Sequence, residues 1–220
     1  MALFMFYEAL TWPDVDALIK QNPKTTAFIE QYKSERKTAG QTPAVSWRWV
    51  PYESISANLK LAALVAEDAD FFSHNGFATD EIKQALDKAW DKRRLPRGAS
   101  TITQQVAKNL WLSPSYNPLR KLKEALLTIQ LERNLRKRRI LEIYLNIAEF
   151  GPGIYGAEAA SRHYFGKSAQ QLTETEAAGL VAGLPKPSRW HPGSGSRTYN
   201  RRVRLILSRM SRAGFLRKEL

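Results

Sequence analysis

The 220-residue chain contains no cysteine, which removes disulfide frameworks, thiolate nucleophiles and thiolate metal sites at one stroke. It has three histidines, at 74, 163 and 191, too widely separated for the close spacing of a histidine metal centre. A membrane span needs about 20 consecutive apolar residues. The apolar stretch at the start ends within seven residues, since Glu8 and Asp14 follow, and no charged leader or cleavage pattern marks a signal peptide. We read this stretch as the remnant of a longer membrane anchor or as a greasy terminus packed on the domain. Acidic residues are also scarce. Thirty-four Lys and Arg face twenty-one Asp and Glu, a net charge of +13. That excess suits phosphates, whether on nucleic acid, on anionic lipid or on a phosphorylated substrate.

A hydrophobic fraction of 43% is enough for one real core, and the length suits one domain with an N-terminal arm. Residues 1–44 read as that arm, punctuated by Pro13, Pro23, Gly40 and Pro43. Residues 45–220 read as the domain proper. It opens on the alternation Val45, Trp47, Trp49, a short strand stopped by Pro51. Beyond it the periodicity is helical. Leu59, Ala62, Ala63 and Ala66 share one face, and Thr79 caps a helix carrying Ile82, Ala85, Leu86 and Ala89. A long pattern from Leu119 to Phe150 breaks near the basic run at residues 136–139. Thr173 with Glu176 predicts a capping box, and a basic helix spans about Arg197 to Arg212. The fold class is mainly α.

Three segments carry candidate chemistry. Glu67 closes an apolar helical run just before Phe71, Phe72 and Phe77, so its carboxylate is expected to be partly desolvated and suited to accepting a proton. In Gly98-Ala-Ser100-Thr101-Ile-Thr-Gln104-Gln105-Val-Ala-Lys108-Asn109, helical spacing gathers Thr101, Gln104, Gln105 and Lys108 on one face. Hydroxyls, amides and one cation suit sugar hydroxyls beside a phosphate. Gly98 and Ser100 would leave open N–H groups at the helix start, a natural anion site. Thr101 with Gln104 is equally a good capping box. In the third segment Arg120 and Lys121 stand four and three residues before Glu124, either a surface ion-pair cluster or a pyrophosphate clamp holding an acid in register. The run Arg136-Lys137-Arg138-Arg139 by itself reads as a solvated stretch of charge.

Taken in order, residues 67–76, 98–109, 120–124, 138–146 with 151–160, and 172–192 resemble the peptidoglycan glycosyltransferases, in particular their monofunctional members. The resemblance covers roughly residues 45–195. It implies a lysozyme-like helical glycosyltransferase domain and a reaction in which lipid II and the growing lipid-linked glycan are joined by an inverting displacement. On this resemblance Glu67 is the general base and Glu124 the second catalytic glutamate, near the reacting centre and leaving group. Asp68, Phe71, His74, Gly98, Ser100, Thr101, Gln104, Gln105, Lys108, Asn109, Arg120 and Lys121 match substrate-binding positions. It requires no cofactor, although the pyrophosphate admits a divalent Mg or Mn ion. It places the enzyme on the outer face of the bacterial inner membrane, beside an anionic bilayer and other cell-wall synthesis proteins, with no specific nucleic acid. Ala78 stands where the family often has Asp. Residues 188–192, Ser-Arg-Trp-His-Pro, replace a more usual Tyr-Asn-Pro ending. The rivals are a glycan-cleaving lysozyme-like hydrolase, a nucleic-acid-binding module and a membrane scaffold without activity. A hydrolase has no need of a phosphate clamp, no nucleic-acid recognition motif is present, and a scaffold leaves the five segments unexplained.

Overall fold

The computed structural model describes residues 12–77, 100–112 and 118–220. The helix capped at Thr79, Ala78, Gly98 and the first apolar stretch lie outside these residues. The described part holds eight α-helices and one small sheet, in agreement with a mainly α class. The helices are α1 (Ala27–Thr38), α2 (Ala57–Glu67), α3 (Ile102–Trp111), α4 (Pro118–Asn134), α5 (Lys137–Ile147), α6 (Ala157–Phe165), α7 (Glu174–Gly183) and α8 (Arg197–Arg212).

Helix α2 is apolar on every side, which is the signature of a helix enclosed by others. Its residues 59–65 are all buried, Lys60 included, and it packs against α7 and α8. Ser56 starts it, accepting a hydrogen bond from Leu59 N at 3.0 Å. Helix α7 is similarly apolar, and the predicted capping box of Thr173 and Glu176 is present at its start. Gly179 in α7 has a specific reason: a Cβ there would sit 3.2 Å from the Tyr199 hydroxyl, which donates to the Gly179 carbonyl at 3.0 Å. The missing side chain lets α8 lie close. On the other flank α3 packs against α4 and α5, and Ile102, Val106, Leu127, Leu131, Ile140 and Ile143 fill the space between. The segment read as an arm contributes Val15, Leu18 and Ile29 to the buried residues.

The sheet has strand order β1-β3-β2, with β1 (Ser46–Trp47) parallel to β3 (Ile154–Tyr155) and β2 (Glu149–Gly151) antiparallel to it. The strand expected to run to Pro51 is therefore shorter. Beyond Trp47 a side chain takes over from a partner strand: buried Asn146 accepts from Val50 N at 2.9 Å and donates to Val50 O at 2.9 Å. The indole of Trp47 donates to the Asn146 carbonyl at 2.7 Å.

The long helical pattern does break, at Leu135 and Arg136, where Arg136 turns extended before α5 begins. The basic run is not merely solvated, which corrects its reading as a charged stretch. Lys137 pairs with Glu132 at 2.8 Å and lies 4.5 Å from the Phe71 ring centre. Arg139 donates to Leu18 O, Gln21 O and Asn22 Oδ1 at 2.8–2.9 Å, tying the N-terminal segment to α5.

Candidate active site

Glu67 is the last residue of α2, where the enclosed helix reaches the surface and its carboxylate meets α3 and α8. Gln105 Nε2 donates to one carboxylate oxygen at 3.2 Å, and Arg202 Nη2 donates to the other at 2.9 Å. The side chain keeps only 15% exposure. Burial pushes the Glu67 pKa above the ordinary carboxylate value, against the opposing pull of Gln105, Arg202 and Lys108. Gln105 is itself oriented. The fully enclosed Tyr144 on α5 donates to its Oε1 at 3.4 Å, which turns the amide nitrogen toward Glu67. Burial also drives the Tyr144 pKa far upward, so its hydroxyl stays a donor.

Asp68, next along, faces inward. One oxygen accepts from Ile102 N at 2.9 Å and the other bonds His74 Nε2 at 2.9 Å. Gly76 N donates to His74 Nδ1 at 3.1 Å, which places the ring hydrogen on Nε2 and makes His74 the donor to Asp68. Thr101 Oγ1 donates to Gly76 O at 2.7 Å and caps α3, while the Gln104 side chain accepts from Thr101 N at 2.9 Å. The N-terminus of α3 is thus filled from within the chain, by the Asp68 carboxylate and the capping box. The macrodipole at this end of α3 has the Asp68 carboxylate against it, and Gly98 of the expected anion site lies outside the described residues.

Gly76 has φ +89°, and a Cβ there would fall 2.7 Å from Thr128 Cγ2, so only glycine lets this turn lie against α4. Phe71 is fully buried, edge-on to Phe72 and His74. Its ring is enclosed by the fold next to the His74 that bonds Asp68. The hydrogen bonds of Asp68, His74, Thr101 and Gln104 hold the end of α2 and the start of α3 in register.

The cations form a second group. Lys108, one turn beyond Gln105 on α3, is held below the ordinary lysine pKa by burial and by Lys121 and Arg120, and is supported by Glu124 and Glu67. It therefore lies within electrostatic reach of both glutamates. Glu124 on α4 is 3% exposed; Arg120 stands 3.6 Å from it, and Lys121 contacts its other oxygen. The predicted i−4, i−3 arrangement is present, with its acid buried and its cations more exposed. Two buried polar atoms here have no partner, Asn109 Oδ1 and Arg120 Nε. Ser100 is exposed at the mouth of α3.

Among the described residues no three His, Asp or Glu side chains cluster to hold a metal. Glu67 faces Arg202, Glu124 faces Arg120 and Lys121, and Asp68 faces His74.

Sequence reasoning did not single out Arg202 or Tyr144. Tyr144 carried a signal, a hydroxyl inside an apolar helical run; Arg202 carried only its place in the helical register.

The architecture and these paired acids and cations are those of a helical group-transfer enzyme. The transglycosylase family model matches residues 35–211. A biosynthetic peptidoglycan transglycosylase of Thiobacillus denitrificans is 45% identical over 206 residues, covering 94% of this chain and 89% of that protein. The protein of the same name from Nitrosospira multiformis is 45% identical over 192 residues, covering 87% and 84%. That from Laribacter hongkongensis is 40% identical over 211 residues, covering 96% and 92%. The chain belongs to the transglycosylase family.

Proposed function

We propose that this peptidoglycan glycosyltransferase extends glycan strands from lipid II, with Glu67 as general base. The acceptor's sugar hydroxyl attacks the anomeric carbon of the lipid-linked donor, and its proton passes to Glu67. The carbon–oxygen bond to the pyrophosphate breaks as the new glycosidic bond forms, with inversion, and the electron pair leaves with the lipid pyrophosphate. Lys108, Arg120 and Lys121 neutralise that leaving group. Glu124 holds those cations in register and faces the donor's reacting centre.

One observation carries the reading. Glu67 is a largely desolvated carboxylate, fixed at both oxygens, and Lys108 lies within electrostatic reach of it and of a second, buried glutamate bearing two cations. An alcohol attacks poorly unless a base takes its proton, and such a base contributes about 10²–10⁴-fold. Glu67→Gln keeps the shape and removes the basicity. Incubated with lipid II in detergent, the wild type is expected to yield lysozyme-sensitive polymer and the variant to be slower by that factor, with its melting temperature little changed. A Glu67→Gln enzyme polymerising at the wild-type rate would refute the assignment.

The work belongs at the outer face of the inner membrane, alongside other cell-wall synthesis proteins. No helix among the described residues is long and apolar enough to cross a bilayer. Instead Leu119, Leu122 and Leu126 lie exposed along α4 at helical spacing, on the side opposite Glu124 and Thr128. Such a leucine stripe beside basic residues suits insertion at an anionic bilayer surface, where a lipid-linked substrate resides.

A further inference from the structure

Helix α8 is strongly basic, and most of its arginines face water. Tyr199, Ile206 and Met210 are its buried residues. Position 202 falls on that same face, three residues after Tyr199 and four before Ile206, whereas Arg197, Arg201, Arg204, Arg209 and Arg212 are exposed. An arginine at a core-facing position is costly unless it is paired. Arg202 spends Nη2 on Glu67 at 2.9 Å, and its Nε is buried without a partner. Of all the side chains that could sit there, this one reaches across from α8 to the end of α2 and holds the carboxylate from the side opposite Gln105.

We infer that Arg202 is a positioning residue of the transfer reaction, acting through Glu67: it fixes one carboxylate oxygen, sets the direction in which the other lone pairs face the acceptor, and favours the charged, proton-accepting form. The inference rests on Glu67 being the base. Its physical basis is a conflict at Glu67. Removal from water favours the neutral acid, which has no use as a base, while the hydrogen bond from Gln105 and the charge and hydrogen bond of Arg202 pull back toward the anion.

Among the described residues the surroundings of Glu67 leave few other groups for this. From α3 come Gln105, a neutral donor whose hydrogen bond also favours the charged form, and Lys108, whose charge is shared with Glu124. From α5 comes Tyr144, a donor to Gln105. On its own chain Asp68 follows, a like charge turned toward His74 and Ile102 N. From α8, besides Arg202, Arg209 donates to Val65 O, and Arg212 lines a cavity of about 550 Å³ at the end of α2. Helix α7 carries no ionisable residue from 177 to 184. Among the described residues Arg202 is the cation in direct contact.

The test is the pH dependence of kcat with lipid II for the wild type, Arg202→Gln and Arg202→Lys, with melting temperatures measured alongside. Losing an adjacent opposite charge moves a carboxylate's titration upward by about one unit or more. The acidic limb of Arg202→Gln is therefore expected to move up by at least about one pH unit. At a pH on the wild-type limb the variant would run about tenfold slower, recovering as pH rises, with KM unchanged. Arg202→Lys should bring the limb part of the way back, because a lysine supplies charge without the guanidinium's fixed geometry. A limb that stays in place, with any loss of rate following the melting temperature, would make the pair a structural pin and overturn the inference. Should Arg202→Gln not fold, the limb of Arg202→Lys decides alone: displacement supports the role and coincidence with wild type removes it. A fully active Glu67→Gln would instead sink the base assignment, so the two failures are distinguishable.

Discussion

Asp68→Asn is nearly isosteric, yet it should be one of the most damaging substitutions in the protein. The Asp68 carboxylate accepts from two donors, Ile102 N at the first turn of α3 and His74 Nε2, each at 2.9 Å. Asparagine offers one acceptor oxygen and one amide that can only donate. One of the two donors must then face another donor. Histidine cannot adapt by moving its hydrogen to Nδ1, because that atom accepts from Gly76 N at 3.1 Å. A charge-assisted hydrogen bond is worth about 1.5–3 kcal/mol and a buried unpaired donor costs about 1–3 kcal/mol. Loss of the negative charge at the start of α3 adds a few tenths more. With partial relaxation the cost is about 2–4 kcal/mol, and at about 2–4 °C per kcal/mol for a chain of this size the melting temperature falls roughly 4–16 °C. Glu67 and Gln105 sit on the two helices this contact joins, so catalysis should suffer as well. A displacement well under 1 Å makes a ~10- to ~100-fold loss in kcat reasonable. Calorimetry and lipid II turnover on the same preparation test both. An Asn variant melting within about 2 °C of wild type would show that Asp68 does not join α2 to α3 as described.

Glu149 gives a pH prediction. Burial, with Glu35 nearby and against the hydrogen bond from Gly153 N, pushes it from an ordinary value of 4.5 up to about 7. Its contribution is fully present below the ordinary value and is lost as pH rises through about 7. Glu149→Gln should therefore raise the melting temperature at pH 8 by roughly 2–8 °C, about 1–2 kcal/mol after allowance for solvent screening, and change little at pH 5. An equal gain at both pH values would refute the cause. Lys108→Ala should raise KM for lipid II about 10- to 100-fold, by loss of a charge-assisted contact, without lowering the melting temperature; unchanged KM would make Lys108 a bystander to the pyrophosphate. Binding to anionic vesicles should fall as salt rises and should weaken in Leu122→Glu; a sedimentation assay in which that substitution has no effect would move the membrane face elsewhere.

What the sequence made legible follows from the range of the forces involved. Caps are set by residues three apart, and Thr101 with Gln104 and Thr173 with Glu176 form the boxes their spacing indicated. The basic helix at Arg197–Arg212 has its predicted bounds. The pairing of Arg120 and Lys121 with Glu124 is also local, one turn of α4, and it stands. Contacts between distant segments were not legible. Nothing in the alternation Val45, Trp47, Trp49 tells that Asn146 will bond Val50 and stand in for a strand. Nor does the composition of residues 136–139 reveal that Arg139 will anchor three groups some 120 positions away. A motif likewise carries no burial: nothing around Phe71 in the sequence tells that the fold places it at 0% exposure.

The same contrast explains how the site is assembled. The side chains around Glu67 arrive on three helices: Gln105 and Lys108 from α3, Tyr144 from α5 and Arg202 from α8. A carboxylate at the end of a free-standing helix would be solvated and would titrate as an ordinary acid. Here α2 is enclosed by α7 and α8, and that apolar packing is what strips water from its last residue. Desolvation strengthens a base only while it remains charged, so the packing that raises the basicity of Glu67 also threatens its ionisation. The helix that completes the enclosure, α8, is the one that brings Arg202. Packing and charge compensation are thereby delivered by a single element, and weakening α8 should disturb chemistry before it unfolds the core.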